Sequence, residues 1–185
     1  MDSLHVVSLT RVWSVIRTAN LAEWQVEIRL ATKSDAEQVR KIAYSAMHTF
    51  GLVPDPEGID IEVGRFGESF EGALLQLVAC CGDEILGCIS LSQKDSKTAK
   101  ISGFYVDPSH RGKGIGEKLL VSTIRHAQKI PLSGIYLETW DKMEAAVRLY
   151  VKFGWYRVSD PPEESGAQRA YYLSLNTDNK PLHLA

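Results

Sequence analysis

"HRGKGIGEKLL", residues 110–120, places three of the chain's fourteen glycines around an arginine and a lysine, just ahead of a segment that turns helical. Glycine loses more backbone entropy on folding than any other residue and weakens a helix. Three of them here imply a backbone conformation or a close approach that side chains would block. The first N–H groups of a helix have no intrahelical acceptor, and the helix macrodipole is positive at that end. A glycine turn running into a helix start is therefore an anion site, and Arg111 and Lys113 add charge to it. Two familiar phosphate loops fail on spacing. GxxxxGK[ST] fails because Gly116 is followed by Glu117 and no glycine stands five residues before Gly112-Lys113. GxGxxG fails because Gly112, Gly114 and Gly116 read GxGxG and follow hairpin strands rather than opening a βαβ unit. On the residues alone the anion stays open.

Upstream of the loop, "ALLQLVACC", "EILGCISLS" and "KTAKISGFYVDP" read as strands joined at Gly82-Asp83 and Asp95-Ser96, an antiparallel meander. The last of them, Lys100–Val106, ends at Asp107-Pro108, where proline cannot continue a ladder. Further back, "VEIRLA" reads as a short strand. "TKSDAEQVRKIAYSAMHTF" reads as a helix with Ser34 as N-cap, Glu37 completing a capping box, and Val39, Ile42, Ala43 and Ala46 as its apolar stripe. A weaker helix is expected from about Gly58 to Phe66.

Downstream, the helix Glu117–Gln128 is followed by a strand, "SGIYLETW". A second helix, "MEAAVRLYVKF", carries Met143, Ala146, Val147 and Tyr150 at i, i+3, i+4 and i+7, with Gly154 as its C′ residue. "WYRVSD" and "AQRAYYLSL" close the chain around "PPEESG". Hairpins first and strand–helix–strand later predict an α/β domain with helices on both faces of the sheet.

The chain has 185 residues, is 44% hydrophobic and carries a net charge of −2. One domain is the prior. The charge gives no reason to expect nucleic acid or a membrane as partner, and no apolar run approaches the ~20 residues of a membrane span. Cys80, Cys81 and Cys88 are odd in number and lack CxxC spacing. They read as small apolar strand residues, which predicts neither a disulfide framework nor a zinc site and fits a cytoplasmic compartment. His48, His110 and His126 show no metal-ligand spacing. Near the N-terminus, Val6, Leu9, Trp13 and Ile16 follow helical spacing in a stretch whose only charges are Arg11 and Arg17. An accessory helix that packs on the domain or a partner is expected there, with a transit peptide as the alternative reading. Domain organisation is then an extension over 1–25, a domain over 26–176 and a tail over 177–185.

"YVDPSHRGKGIGEKLL" resembles the coenzyme A pyrophosphate loop of the GNAT superfamily, the Gcn5-related N-acetyltransferases, whose pattern is (Q/R)xxGx(G/A). Arg111, Gly114 and Gly116 match it, with Gly112 in addition. "IRLATKSDAEQVRKI" resembles that family's first strand and helix, "GDEILGCISL" its second hairpin, and "LETWDKMEAAVRLYVKFGWYRV" its second conserved block. The resemblance covers about residues 26–175.

It implies the GNAT fold, a mixed and mostly antiparallel sheet of about seven strands splayed between the fourth and fifth, with acetyl-CoA as co-substrate. Phe104, Tyr105 and Val106 would line the pantetheine arm. Arg111, Gly112, Lys113, Gly114, Ile115 and Gly116 would hold the pyrophosphate. The reaction implied is direct attack of a neutral amine on the thioester in a ternary complex. An alkyl ammonium, at pKa ~10.4, must first lose its proton, and the thiolate leaving group needs one from an acid such as a tyrosine, at pKa ~10. The resemblance assigns that acid to Tyr150, the base or water-positioner to Glu138, and an oxyanion donor to the Val106 amide. The residues alone also allow Tyr150 to be a core side chain and Glu138 a solvated strand residue. One departure is Met143, where the family usually has an asparagine that contacts the cofactor.

The acids Asp55, Glu57, Asp60, Glu62, Glu68 and Glu71 face only Arg65 across 55–71. They predict a rim that draws in cationic amines, whether a polyamine, an aminoglycoside-like amine or a lysine side chain, with a solvated acidic face as the plain alternative. Protein N-termini are a further acceptor option and a homodimer a further expectation of the resemblance, while transfer of longer acyl groups is a separate class that would need a roomier thioester end. A non-catalytic acetyl-CoA sensor or interaction module is the competing class.

Overall fold

The computed structural model describes residues 25–58 and 60–175. Among them the strands are β1 (Glu27–Leu30), β2 (Ala73–Cys81), β3 (Glu84–Gln93), β4 (Thr98–Val106), β5 (Gly134–Thr139), β6 (Tyr156–Arg157) and β7 (Arg169–Ser174). The α-helices are α1 (Ala36–Thr49), α2 (Ile61–Gly64), α3 (Ile115–Ala127) and α4 (Glu144–Lys152). The strands form one seven-stranded sheet in the order β1-β2-β3-β4-β5-β7-β6. Every pairing is antiparallel except β4 with β5. The expected N-terminal helix and the tail over 177–185 lie outside the described residues.

Strand alternation builds two cores. On β2, Val78 and Cys80 face α1, α2 and the turn after α2, where they meet Val39, Ile42, Ala43, Val63 and Phe66. Leu77 and Ala79 face the other way, toward Ile115, Leu119, Leu120 and Ile124 of α3. Helices therefore cover both faces. Gly87 lets α3 lie close to the sheet, since a Cβ there would stand 2.8 Å from the Tyr105 carbonyl oxygen and 3.2 Å from Leu119.

Several expected boundaries move. Helix α3 starts at Ile115 rather than Glu117, because Gly114, at φ +77°, caps it. Met143 is the N-cap of α4 rather than part of its first turn. Helix α2 is a single turn. The Ser34–Glu37 capping box does not form. A 3-10 turn over Lys33–Asp35 precedes α1, and the Thr32 N–H donates to Asp35 Oδ2 at 2.7 Å. Asp35 also accepts two bonds from the Arg29 guanidinium, at 2.8 and 2.9 Å. Arg29 lies on the neighbouring strand, a partner that local spacing cannot reveal.

The Arg29 bonds hold the Asp35 carboxyl down from 3.8 to about 2. A depressed carboxyl stabilises the fold above its unfolded pKa and loses that contribution as pH falls through the folded value. The window is therefore between about pH 4 and about pH 2, and the contribution is of the order of 2 kcal/mol. Urea unfolding of wild type and Asp35→Asn is expected to differ at pH 6 and to converge as the pH is lowered through that window. A constant difference would mean that the pair adds nothing through charge.

Candidate active site

Strands β4 and β5 pair only from Thr98↔Gly134 to Ile101↔Leu137. Beyond Ile101 they diverge, and the second half of β4 keeps its β3 partner but has no strand neighbour on the other side among the described residues. A register shift between Cys88 and Ser90 of β3 marks a bulge at this point. Gly103 takes φ +58° there, a conformation that a side chain would strain. The Cys88 thiol donates to the Gly103 carbonyl at 3.2 Å, and burial pushes its pKa up to about 12. Cys88 is thus a buried thiol at the bulge and not a nucleophile.

The Asp107 N–H donates to the Leu86 carbonyl across β3 at 2.9 Å. Successive N–H groups of an extended strand point to opposite sides. The Val106 N–H therefore faces the gap. An unpaired strand edge inside a fold is a standing demand for hydrogen-bond partners.

A cavity of about 690 Å³ opens on this gap. Its walls come from the end of β4 (Phe104, Tyr105, Val106), the glycine loop and the apolar side of α4 (Ala146, Leu149). This explains why Tyr150 is the only fully buried residue of α4 despite the helix's apolar stripe. Gly112 and Gly114 both take φ +77°, and nothing lies within 4 Å of a Cβ built on either. They are glycines for conformation. Gly116 is a glycine for space: a Cβ there would project among Phe104, Val106 and Leu149 at 3.5–3.7 Å. The first intrahelical bond of α3 runs from the Lys118 N–H to Gly114 O. The amides of Ile115, Gly116 and Glu117 thus have no intrahelical acceptor.

Glu117 would repel an anion here, but Lys152 of α4 binds both its oxygens at 2.8 and 2.9 Å. The Arg111 guanidinium lies 5.1 Å from the Phe50 ring centroid, stacked at the end of α1. Of the residues the sequence assigns to a diphosphate, Arg111, Gly112, Gly114, Ile115 and Gly116 line the cavity. Lys113 is exposed and does not. Met143 stands where the cavity meets its neighbour, with its sulfur 3.7 Å from Thr139 Oγ1.

A second, smaller cavity of about 290 Å³ adjoins the first across Phe104, Tyr105 and Met143. Tyr150 and Glu138 both line it. Tyr150 is 5% exposed, and its ring packs at 5.8–6.3 Å from those of Trp155, Tyr171 and Phe104. Burial raises its hydroxyl pKa well above the usual tyrosine value, so the group is an acid that keeps its proton at every physiological pH. Glu138 accepts bonds from Lys100 Nζ at 2.8 Å and from the Tyr136 hydroxyl at 3.0 Å.

The far wall of this cavity includes Asp60, Glu62 and, from the β6–β7 loop, Ser165. Burial raises the Asp60 carboxyl pKa above its ordinary value. Glu62 Oε2 accepts from the Ser102 hydroxyl at 2.6 Å, and Ser102 shares a second bond with Ser90 at 2.9 Å. Of the acidic residues over 55–71, Asp60 and Glu62 reach this wall. Glu68 instead pairs with Lys33. Lys100, Ser102 and Tyr136 were not singled out in the sequence. The available signal was a lone lysine in "TAKISGFYV" and a lone glutamate in "IYLETW", and only the β4–β5 register brings them together.

The arrangement joins a helix N-terminus and an open strand edge on one side to a protonated phenol and three carboxylates on the other. Comparison with known proteins identifies the family. The family model described as acetyltransferase (GNAT) family matches residues 34–155. The spermine/spermidine N(1)-acetyltransferase of Bacillus subtilis is 30% identical over 92 residues, 48% of this chain and 57% of that protein. A GNAT-family acetyltransferase of Staphylococcus aureus superposes with a TM-score of 0.69 at 25% identity, over 82% of this chain and 100% of that one. A GNAT-family acetyltransferase of Brucella melitensis, solved in complex with acetyl-CoA, has a TM-score of 0.62 at 20% identity, over 85% and 93%.

Proposed function

The chain belongs to the GNAT acetyltransferase family, and from that premise we propose that it moves the acetyl group of acetyl-CoA to a primary amine on a cationic acceptor, with 26–176 as the catalytic domain. The observation that carries this reading is the pair of adjoining cavities that meet at the β4–β5 splay, one walled by a helix N-terminus and the other by carboxylates.

The larger cavity fits coenzyme A. The amides of Gly112, Gly114, Ile115 and Gly116, with Arg111, hold the diphosphate. Phe104, Tyr105 and Val106 line the pantetheine arm, and the open edge of β4 supplies the polar partners that an amide-rich chain needs. Acetyl-CoA supplies an activated thioester. The Val106 N–H stabilises negative charge that develops on the carbonyl oxygen. Tyr150 gives its proton to the departing thiolate. Glu138 acts as base or water-positioner for the acceptor's ammonium proton through the lone pairs that Lys100 and Tyr136 leave open. Met143 replaces a polar contact with an apolar one beside the pantetheine arm.

The acceptor class follows from charge. Asp60, Glu62 and Glu138 line the smaller cavity against one cation, Lys100. The surplus negative charge attracts ammonium groups, and likeness to a spermine/spermidine acetyltransferase supports the same class.

The test is thiol release from acetyl-CoA against spermidine, a lysine peptide, an aminoglycoside and a neutral arylamine. Cationic acceptors should be turned over, with kcat/KM falling as salt rises. Turnover of the arylamine alone would overturn the cationic acceptor, and tight acetyl-CoA binding without turnover of any amine would overturn the transferase reading.

A further inference from the structure

Lys100 and Tyr136 face each other in the parallel register of β4 and β5, and Glu138 lies two residues beyond Tyr136 on the same face. The Glu138 side chain is 13% exposed and that of Lys100 36%. The lysine thus reaches inward from the cavity mouth and sets its ammonium 2.8 Å from Glu138 Oε2. Tyr136 occupies Oε1 at 3.0 Å, and its own ring lies under Lys94, whose Nζ is 4.8 Å from the centroid. Both oxygens of Glu138 are thereby taken by groups of the protein. On the opposite wall, among the described residues, the Glu62 carboxylate is engaged only by a neutral hydroxyl and the Asp60 carboxylate only by the Asp55 backbone N–H. Among the described residues the cavity therefore contains one neutralised carboxylate and two without a cation.

The geometry points to Lys100 as a specificity-determining residue: its ammonium occupies Glu138 in place of an acceptor's second positive charge, so the distal cation of the acceptor is read by Asp60 and Glu62 alone. This inference rests on the cationic-amine reading above and adds to it which carboxylates count the acceptor's charges. An ammonium bound to a mostly covered carboxylate is a charge-assisted hydrogen bond. A tethered lysine makes it without the entropy loss that a free ligand pays. Removing the lysine exposes Glu138 to the acceptor, whereas removing the carboxylate leaves Lys100 to repel it. The two substitutions must act in opposite directions, which a merely structural role for the pair does not predict.

The probes are n-pentylamine and 1,5-diaminopentane, of equal chain length and one ammonium apart. Their dissociation constants are measured by equilibrium titration of the full chain with coenzyme A present. Binding is thereby read independently of any effect of Glu138 on turnover. In Lys100→Met, which keeps the apolar stem, the preference for the diamine should rise about tenfold, the size of one added charged hydrogen bond. Lys100→Gln should move it the same way if the methionine variant folds poorly. In Glu138→Gln the preference should fall below that of wild type. A preference unchanged in the lysine variants, or shifted in the same direction by both kinds of substitution, overturns the role of Lys100 and leaves the amine reading standing. If wild type binds neither amine, the cavity is not an amine site and both readings fall together.

Discussion

Tyr150→Phe is expected to lower kcat by about 10²–10³ while the KM values for acetyl-CoA and acceptor stay within about twofold. The substitution removes one oxygen and keeps the ring. The packing against Phe104, Trp155 and Tyr171 therefore survives, and the melting temperature should hold. A loss confined to kcat marks an interaction made in the transition state rather than in binding. Because burial raises the hydroxyl pKa, the wild-type rate should show no loss of its acid from neutrality up to the ordinary tyrosine value near ~10. If Tyr150→Phe turns over normally, Tyr150 is a core residue and another group protonates the thiolate. Stopped-flow or steady-state thiol release, with a thermal melt beside it, decides between these.

Gly116→Ala is expected to change affinity and stability in opposite directions. The added methyl meets only ordinary van der Waals contacts, at 3.5 Å from Phe104 and Val106 and 3.7 Å from Leu149, so the protein itself tolerates it. Alanine is the better helix former by up to about 1 kcal/mol, and the melting temperature should hold or rise by a few degrees. The same methyl intrudes on the space between β4 and α4 that the pantetheine arm is proposed to take. The KM for acetyl-CoA should rise by about tenfold or more, with kcat at saturation less affected. A melting temperature that falls as KM rises would contradict the reading, because the methyl would then disturb the protein itself. An unchanged KM would put the pantetheine elsewhere. Gly114→Ala would be less informative, because at φ +77° it strains the loop whatever binds there.

Legibility in the sequence follows how local each cause is. The three meander strands, the helix after the glycine loop and the helix ending at Gly154 all fall close to where periodicity and turn residues put them. Local spacing favours Ser34 as the cap, but Thr32 with Asp35 takes that place because Arg29, on a strand, holds the Asp35 carboxylate. The acidic stretch over 55–71 was legible as charge, but composition could not tell Asp60 and Glu62, which reach a cavity wall, from Glu68, which pairs with Lys33.

By itself the sequence determined the glycine turn that runs into a helix N-terminus and the order of strands and helices. Glycine backbone freedom, helix termini and alternation act over a few residues, and each leaves its mark in the residues concerned. Only the tertiary structure decided where β4 and β5 part, at Ile101 and Leu137, and that β7 inserts between β5 and β6. It alone brought Lys100 to Glu138, and Glu62 to Ser102, across 38 and 40 residues. Those contacts depend on strand register and on which helix covers which face. Both come from the summed burial of two cores, a property of the whole chain that no short stretch carries.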